Sequence, residues 1–152
     1  MKRFKAMMLA ILAMGLCATA VAAERGSLDD AKAMVKKARA YIREQGADKA
    51  FAEISDQKGK FIDRDIYVFV YDKAGVSLAH GGNPKLVGKN LVDLRDTDGV
   101  YFIKGMLDVA QKGPGTLKYR WVNPVTKAVE PKVGYVEMEG NVMVGSGVYA
   151  GQ

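Results

Sequence analysis

The sequence is poor in the side chains on which most enzyme and metal sites are built. Among its 152 residues it holds one cysteine, Cys17, and one histidine, His80. A zinc site needs several thiolate, imidazole or carboxylate ligands at close spacing, and no second His or Cys exists to start one around His80. A Cys-x-x-Cys-His run for haem attachment is likewise missing, and hydrolytic triads and Cys–His dyads are left without partners. Ser146 lies in Gly145-Ser146-Gly147, which lacks the outer glycine spacing of a nucleophile elbow. Those glycines read instead as strand positions approached closely by another backbone or a ligand. Asp96-Thr97-Asp98-Gly99 is similar to part of a calcium loop, but the twelve-residue pattern would put ligands at Leu94 and Gly105. Acids placed ahead of a helix N-terminus are the simpler expectation. The expectation is therefore a protein that is not an enzyme and carries no metal or cofactor. A hydrolase or isomerase built on His80 and a carboxylate is the least supported alternative.

Concentrated charge and long apolar runs are also scarce. The net charge is +6, with basic residues dispersed apart from Lys2, Arg3 and Lys5. That pattern argues against nucleic acid as a partner. No apolar run beyond the N-terminus approaches the ~20 residues of a membrane span. The N-terminus itself reads as a leader. Met1-Lys2-Arg3-Phe4-Lys5 is positively charged, residues 6–16 are apolar, and Ala20-Val21-Ala22-Ala23 offers the small residues of a cleavage site. Cleavage after Ala23 is expected, with residues 1–23 as signal peptide and residues 24–152 as one domain. Leu16 is bulky for a lipid-attachment motif, so lipidation of Cys17 is not expected. Cleavage removes the only cysteine and lowers the net charge to +3, leaving a product without disulfides. It is expected to be soluble and exported to a bacterial periplasm.

Helical and strand periods can be followed along the rest of the chain. Ser27 and Asp30 form an N-cap signal, and Ala31, Met34, Val35, Ala38, Tyr41 and Ile42 recur at helical spacing until Gly46. A shorter helix is expected from about Asp48, with Ala50, Phe51 and Ile54 inward. Residues 65–81 read as a hairpin: the run Ile66-Tyr67-Val68-Phe69-Val70-Tyr71, a turn at Asp72-Lys73-Ala74-Gly75, and a second short run ending at His80. Because residues 67–71 contain no polar side chain, the hairpin is expected at the sheet centre. A helical turn near Leu86–Leu91 and a helix spaced by Phe102, Ile103, Met106, Leu107 and Ala110 follow, the latter ended by Gly113-Pro114-Gly115. Three strands close the chain. In the first, Leu117, Tyr119 and Trp121 point one way and Lys118 and Arg120 the other. The order predicts an α+β fold: a PAS-like five-stranded antiparallel sheet beside a long N-terminal helix, with the helices on one side.

Several segments in this order resemble the single Cache domain, the extracytoplasmic PAS-like sensor module of bacterial chemoreceptors and sensor kinases. They are Phe61-Ile62-Asp63-Arg64-Asp65-Ile66-Tyr67-Val68-Phe69-Val70-Tyr71-Asp72, Leu78-Ala79-His80-Gly81, Leu86-Val87-Gly88-Lys89-Asn90-Leu91, Tyr119-Arg120-Trp121-Val122-Asn123-Pro124, Pro131-Lys132-Val133-Gly134-Tyr135-Val136 and Val144-Gly145-Ser146-Gly147-Val148-Tyr149. The resemblance spans residues 27–150. It implies a pocket on the sheet for a small ligand, often a short carboxylate such as acetate, pyruvate or lactate. The chain ends at Gln152 without a signalling domain, so a stand-alone exported module is expected to act with a separate membrane sensor or transporter.

A carboxylate held among apolar walls needs charge-assisted donors and side chains that exclude water. The expected ligand-binding residues are Tyr67, His80, Arg95, Tyr119, Trp121, Lys132 and Tyr135. Lys132 is the favoured cation, and His80 is a donor at the rim beside Gly81 and Gly82. Arg95 lies in a covering loop. Tyr119, Trp121 and Tyr135 line the space, with Tyr67 or Phe69 at its floor. The competing expectation is an interaction protein that binds no ligand and dimerises through its long helix.

Overall fold

A computed structural model describes residues 24–150; the expected leader, residues 1–23, lies outside them. The long helix α1 runs over Leu28–Gln45. It begins with a reciprocal cap in which Ser27 Oγ accepts from the Asp30 N–H and Asp30 Oδ2 accepts from the Ser27 N–H. Such a box satisfies two otherwise orphaned donors. Gly46, at φ 82°, breaks the helix, and α2 follows at Ala47–Ser55. A short ribbon, β1 (Ile62–Asp63) and β2 (Ile66–Tyr67), leads into β3 (Phe69–Asp72) and β4 (Ser77–His80). Asp72 closes the β3–β4 turn by accepting from the N–H groups of Ala74 and Val76. A single 3-10 turn covers Pro84–Leu86 before α3 (Phe102–Lys112), β5 (Gly115–Val122), β6 (Val129–Glu139) and β7 (Val142–Tyr149).

The main sheet has five antiparallel strands in the order β4-β3-β7-β6-β5. The α+β class and the sheet expected from the sequence are present, and two details differ. The hairpin is not central, because β4 forms an edge and β7 holds the middle. Full burial of residues 66–71 comes instead from helices on both faces of the sheet. On one face, α1 and α2 cover Val68, Val70, Ala79 and Val144 with Val35, Ala38 and Ile54. On the other, α3 packs Phe102, Ile103, Met106 and Leu107 against Tyr67, Phe69, Tyr71, Tyr119 and Val136. The prediction of helices on one side is thus corrected. A strand buried on both faces must be covered from both.

The acidic loop also has a structural task. Asp96 Oδ1 accepts from the N–H groups of Asp98 and Val100, and Oδ2 accepts from the Arg120 N–H. The carboxylate folds its own loop and pins it to the outer edge of β5, while Tyr101 occupies the N-cap of α3. The acids are a loop staple rather than a helix-terminus pair.

Candidate functional site

Strand alternation places the site. On the α3-facing side, Tyr119, Lys132 and Tyr149 lie directly opposite one another across β5, β6 and β7. A second row crosses the sheet as His80, Phe69, Gly145 and Val136. Directly opposed residues share a face in an antiparallel sheet, so the two rows make one floor. Gly145 and Gly147 make room on it. A Cβ at Gly145 would fall 2.2 Å from the Phe69 ring, and one at Gly147 would lie 2.8 Å from Lys132 Cε. The close approach anticipated at these glycines is therefore made by Phe69 and Lys132, with the Val133 carbonyl also 2.7 Å from the Gly147 position.

Tyr67, Phe69, Tyr71, His80, Phe102, Ile103, Met106, Tyr119 and Trp121 line a cavity above this floor. The space open to the centre of a water-sized sphere is about 10 Å³, enough for one water. Phe102 stacks on Tyr119 at 4.9 Å between ring centroids and meets Trp121 at 5.1 Å, which joins the α3 roof to the β5 wall. Tyr67 and Trp121 also line an outer groove with Gly82, Asn83, Leu86, Pro124 and Lys127. These two rings stand between the cavity and that groove.

Lys132 is 1% exposed; its Nζ lies against the Tyr67 and Tyr119 rings of the cavity wall, and the residue lines an outer cleft of about 380 Å³ with Asp96, Asp98, Lys118 and Arg120. Its Nζ lies 2.8 Å from Tyr67 Oη and 3.3 Å from Tyr149 Oη. It also sits 3.9 Å from the Tyr67 ring centroid and 4.7 Å from that of Tyr149. Tyr149 donates its own proton to the Val122 carbonyl at 2.7 Å. Among the described residues, no carboxylate lies within 4 Å of Nζ. Burial pushes the Lys132 ammonium well below its ordinary pKa, opposed by the field of Asp65. Burial likewise raises the phenols of Tyr67 and Tyr119. His80 is driven down to about 3 by burial and then by Lys132. Its Nδ1 accepts the Asn83 N–H at 2.9 Å, which leaves the ring proton on Nε2.

Five of the expected residues, Tyr67, His80, Tyr119, Trp121 and Lys132, meet in this region. Two do not. Tyr135 is on the opposite face, packed with the α1 cluster and donating to Glu137. It lies three positions from Lys132, and an odd offset along a strand reverses the side chain. Arg95 is exposed, with its guanidinium 4.3 Å from the Tyr101 ring and hydrogen-bonded to the Tyr101 hydroxyl. Sequence reasoning missed Tyr149 and the α3 roof. The Gly145, Gly147, Tyr149 spacing of two could have placed Tyr149 beside Lys132. No comparable local signal set the rotation of α3.

The model of the single Cache domain 2 family matches residues 4–152. The chain belongs to that family. A crystal structure of a methyl-accepting chemotaxis protein from Vibrio parahaemolyticus is similar to this Cache domain, with TM-score 0.70 and 31% identity over 80% of this chain and 86% of that one. A Cache chemosensory domain described for carboxylic acid recognition gives TM-score 0.65 and 26% identity, covering 81% of this chain and 88% of the other. Among curated proteins, the sensor histidine kinase MctS of Rhizobium johnstonii is 34% identical over 88 residues, 57% of this chain. The methyl-accepting chemotaxis protein McpP of Pseudomonas putida is 32% identical over 90 residues, again 57% of this chain. The match spans 19% and 16% of those two relatives' lengths.

Proposed function

We propose that this Cache domain is a sensing module that binds one small organic monoanion, of the acetate, pyruvate or lactate class, between the sheet and α3. The observation that carries this reading is Lys132: a buried amine beside an aromatic cavity, with two phenol partners and no carboxylate of its own. A single anionic ligand would supply the missing charge partner, with the Tyr67 hydroxyl and the His80 Nε2–H as further donors. A dicarboxylate would bring in a second buried charge without an opposing one, which is costly. The carboxylic acid recognition described for a 26%-identical Cache domain supports the same ligand class. Because the cavity holds about one water, binding requires Tyr67, Trp121 or α3 side chains to yield.

The site is suited to binding rather than turnover. A histidine held near pKa 3 with Nδ1 engaged is a weak base at neutral pH. By the resemblance to a sensor kinase and chemotaxis proteins, occupancy would be read by a signalling partner. The leader expected at residues 1–23 supports a periplasmic location for the domain. Dimerisation through α1 would have to use its exposed, largely charged side, since Ala31, Val35 and Ala38 are buried in the protein's own core.

A thermal-shift screen of short monocarboxylates, dicarboxylates and amino acids tests this reading. A specific ligand at a hundredfold its Kd stabilises the native state by about 2.7 kcal/mol. A monocarboxylate is expected to raise the melting temperature in the wild type and not in Lys132→Met. A screen with no stabilising organic anion would contradict the assignment.

A further inference from the structure

We propose that Lys132 is a neutral amine in the unliganded protein and takes a proton from solvent when a carboxylate enters, so that the ligand binds as an anion with net uptake of one proton. This rests on the ligand class inferred above and adds a property which that class does not require, because a site with a permanent ammonium would bind the same anion without proton uptake.

The surroundings of Nζ carry the inference. On β2 it faces Tyr67, and the nearest acid on that side, Asp65, acts on it through its field alone, its Oδ2 making no hydrogen bond among the described residues. Asp65 Oδ1 accepts the Gly26 N–H at 2.9 Å, and its Oδ2 is 3.8 Å from the Arg25 guanidinium. Tyr71 on β3, His80 on β4, Tyr119 on β5 and Tyr149 on β7 also face it, and Asp96, Asp98, Lys118 and Arg120 line an outer cleft with it, where Asp96 is held by the N–H groups of Asp98, Val100 and Arg120 and Asp98 pairs with the Arg120 guanidinium. The α3 residues at the cavity, Phe102, Ile103 and Met106, carry no charge. Among the described residues, none of these groups places a carboxylate within 4 Å of Nζ. The aromatic rings around Nζ favour an ammonium, but the cost of burying an uncompensated ion exceeds a cation–π gain. Desolvation therefore wins.

The hydrogen-bond inventory fits the neutral form. Tyr149 commits its proton to Val122. Tyr67 has two oxygen or nitrogen neighbours for its own, Nζ at 2.8 Å and Tyr149 Oη at 3.2 Å. With the amine neutral, the Nζ lone pair can take the Tyr67 proton at the shorter distance, while an amine N–H reaches Tyr149. When a carboxylate arrives, the added proton converts Nζ to a full donor. The Tyr67 hydroxyl is then released to donate to the ligand.

Calorimetric titration of the protein with acetate and with pyruvate, near neutral pH in phosphate and in Tris, reads the proton directly. The expected result is an apparent enthalpy that differs between the buffers by the difference of their ionisation heats, scaled by about one proton per ligand bound. Affinity should fall about tenfold per pH unit as pH rises through the alkaline side of neutrality. Saturable binding with equal enthalpies in both buffers and a flat pH profile would overturn the proposal and leave the ligand class standing. Absence of binding by either acid at any pH would overturn both. In His80→Gln the uptake should persist; retained binding with the uptake lost would assign the proton to His80 and overturn the role of Lys132. Lys132→Arg, which cannot shed its charge, should show no uptake wherever it binds. Uptake persisting in Lys132→Arg would also count against the proposal.

Discussion

The two faces of the central sheet are built from the same strands and do opposite things with charge. On the α1 face, valines and alanines close a dry core, and the charged groups at its margin are matched. Arg39 bridges Glu137 and Glu139, and Arg43 reaches Glu139. On the α3 face, aromatic rings surround Lys132, and among the described residues no carboxylate lies within 4 Å of its amine. The switch between these environments takes one residue. Tyr67, Phe69 and Tyr71 belong to one cluster, and Val68 and Val70 to the other. A uniformly apolar strand can therefore support a structural face and the face of the proposed site at once, with size and aromaticity as the distinction.

Truncation on the structural face should have the largest effect. Phe61→Ala removes a fully buried ring from the α1 cluster and should cost about 3–5 kcal/mol in denaturant unfolding, with ligand affinity of the folded protein retained. The matching change on the other face should act in the opposite sense. Lys132→Met fills the same volume without a buried amine that must shed its proton on folding and should raise stability at neutral pH by about 1–3 kcal/mol, while abolishing anion binding. Equal destabilisation by both substitutions would erase the contrast.

The pH dependence sharpens it further. Lys132 has a depressed pKa in the folded chain and an ordinary one, about 10.4, when unfolded. Between those values the unfolded chain holds more protons, so stability rises with pH. The slope from this one group is at most about 1.4 kcal/mol per unit, and the gain is lost again as pH falls through the folded pKa. Urea unfolding of the unliganded protein across this window should show the rise in the wild type and a flatter profile in Lys132→Met.

Smaller effects separate residues that composition alone makes equivalent. Tyr67→Phe should weaken carboxylate binding about tenfold through loss of one donor. Tyr135→Phe should leave affinity within about twofold and cost about 1 kcal/mol of stability with its Glu137 contact. Arg95→Ala, at an exposed site, should change stability by less than about 0.5 kcal/mol and leave binding unaltered. Calorimetry and unfolding curves on the same samples distinguish the cases.

Much of the fold was legible because its signals are local. The Ser27–Asp30 cap, Gly46, Gly113 and the alternation of Leu117, Tyr119 and Trp121 each act within a few residues, and each marks a boundary or a face in the structure. The hairpin's place at the edge was not legible, since β7 inserts beside β3 through long-range pairing. In the candidate site, Lys132 and Tyr119 could be joined by strand pairing, and parity alone would have excluded Tyr135. The aromatic–valine alternation in residues 67–71 also held the register that its even hydropathy concealed. The closing of the cavity by Phe102 and Met106 depends on how α3 rotates over the sheet, which only tertiary packing decides.

The most direct test is a crystal structure of the protein with pyruvate bound. The carboxylate is expected on the α3 face, with an oxygen about 3 Å from Lys132 Nζ and Tyr67 Oη and the Tyr67 or Trp121 ring turned toward the outer groove. A ligand held on the α1 face, or on this face without a contact to Lys132, would contradict this expectation.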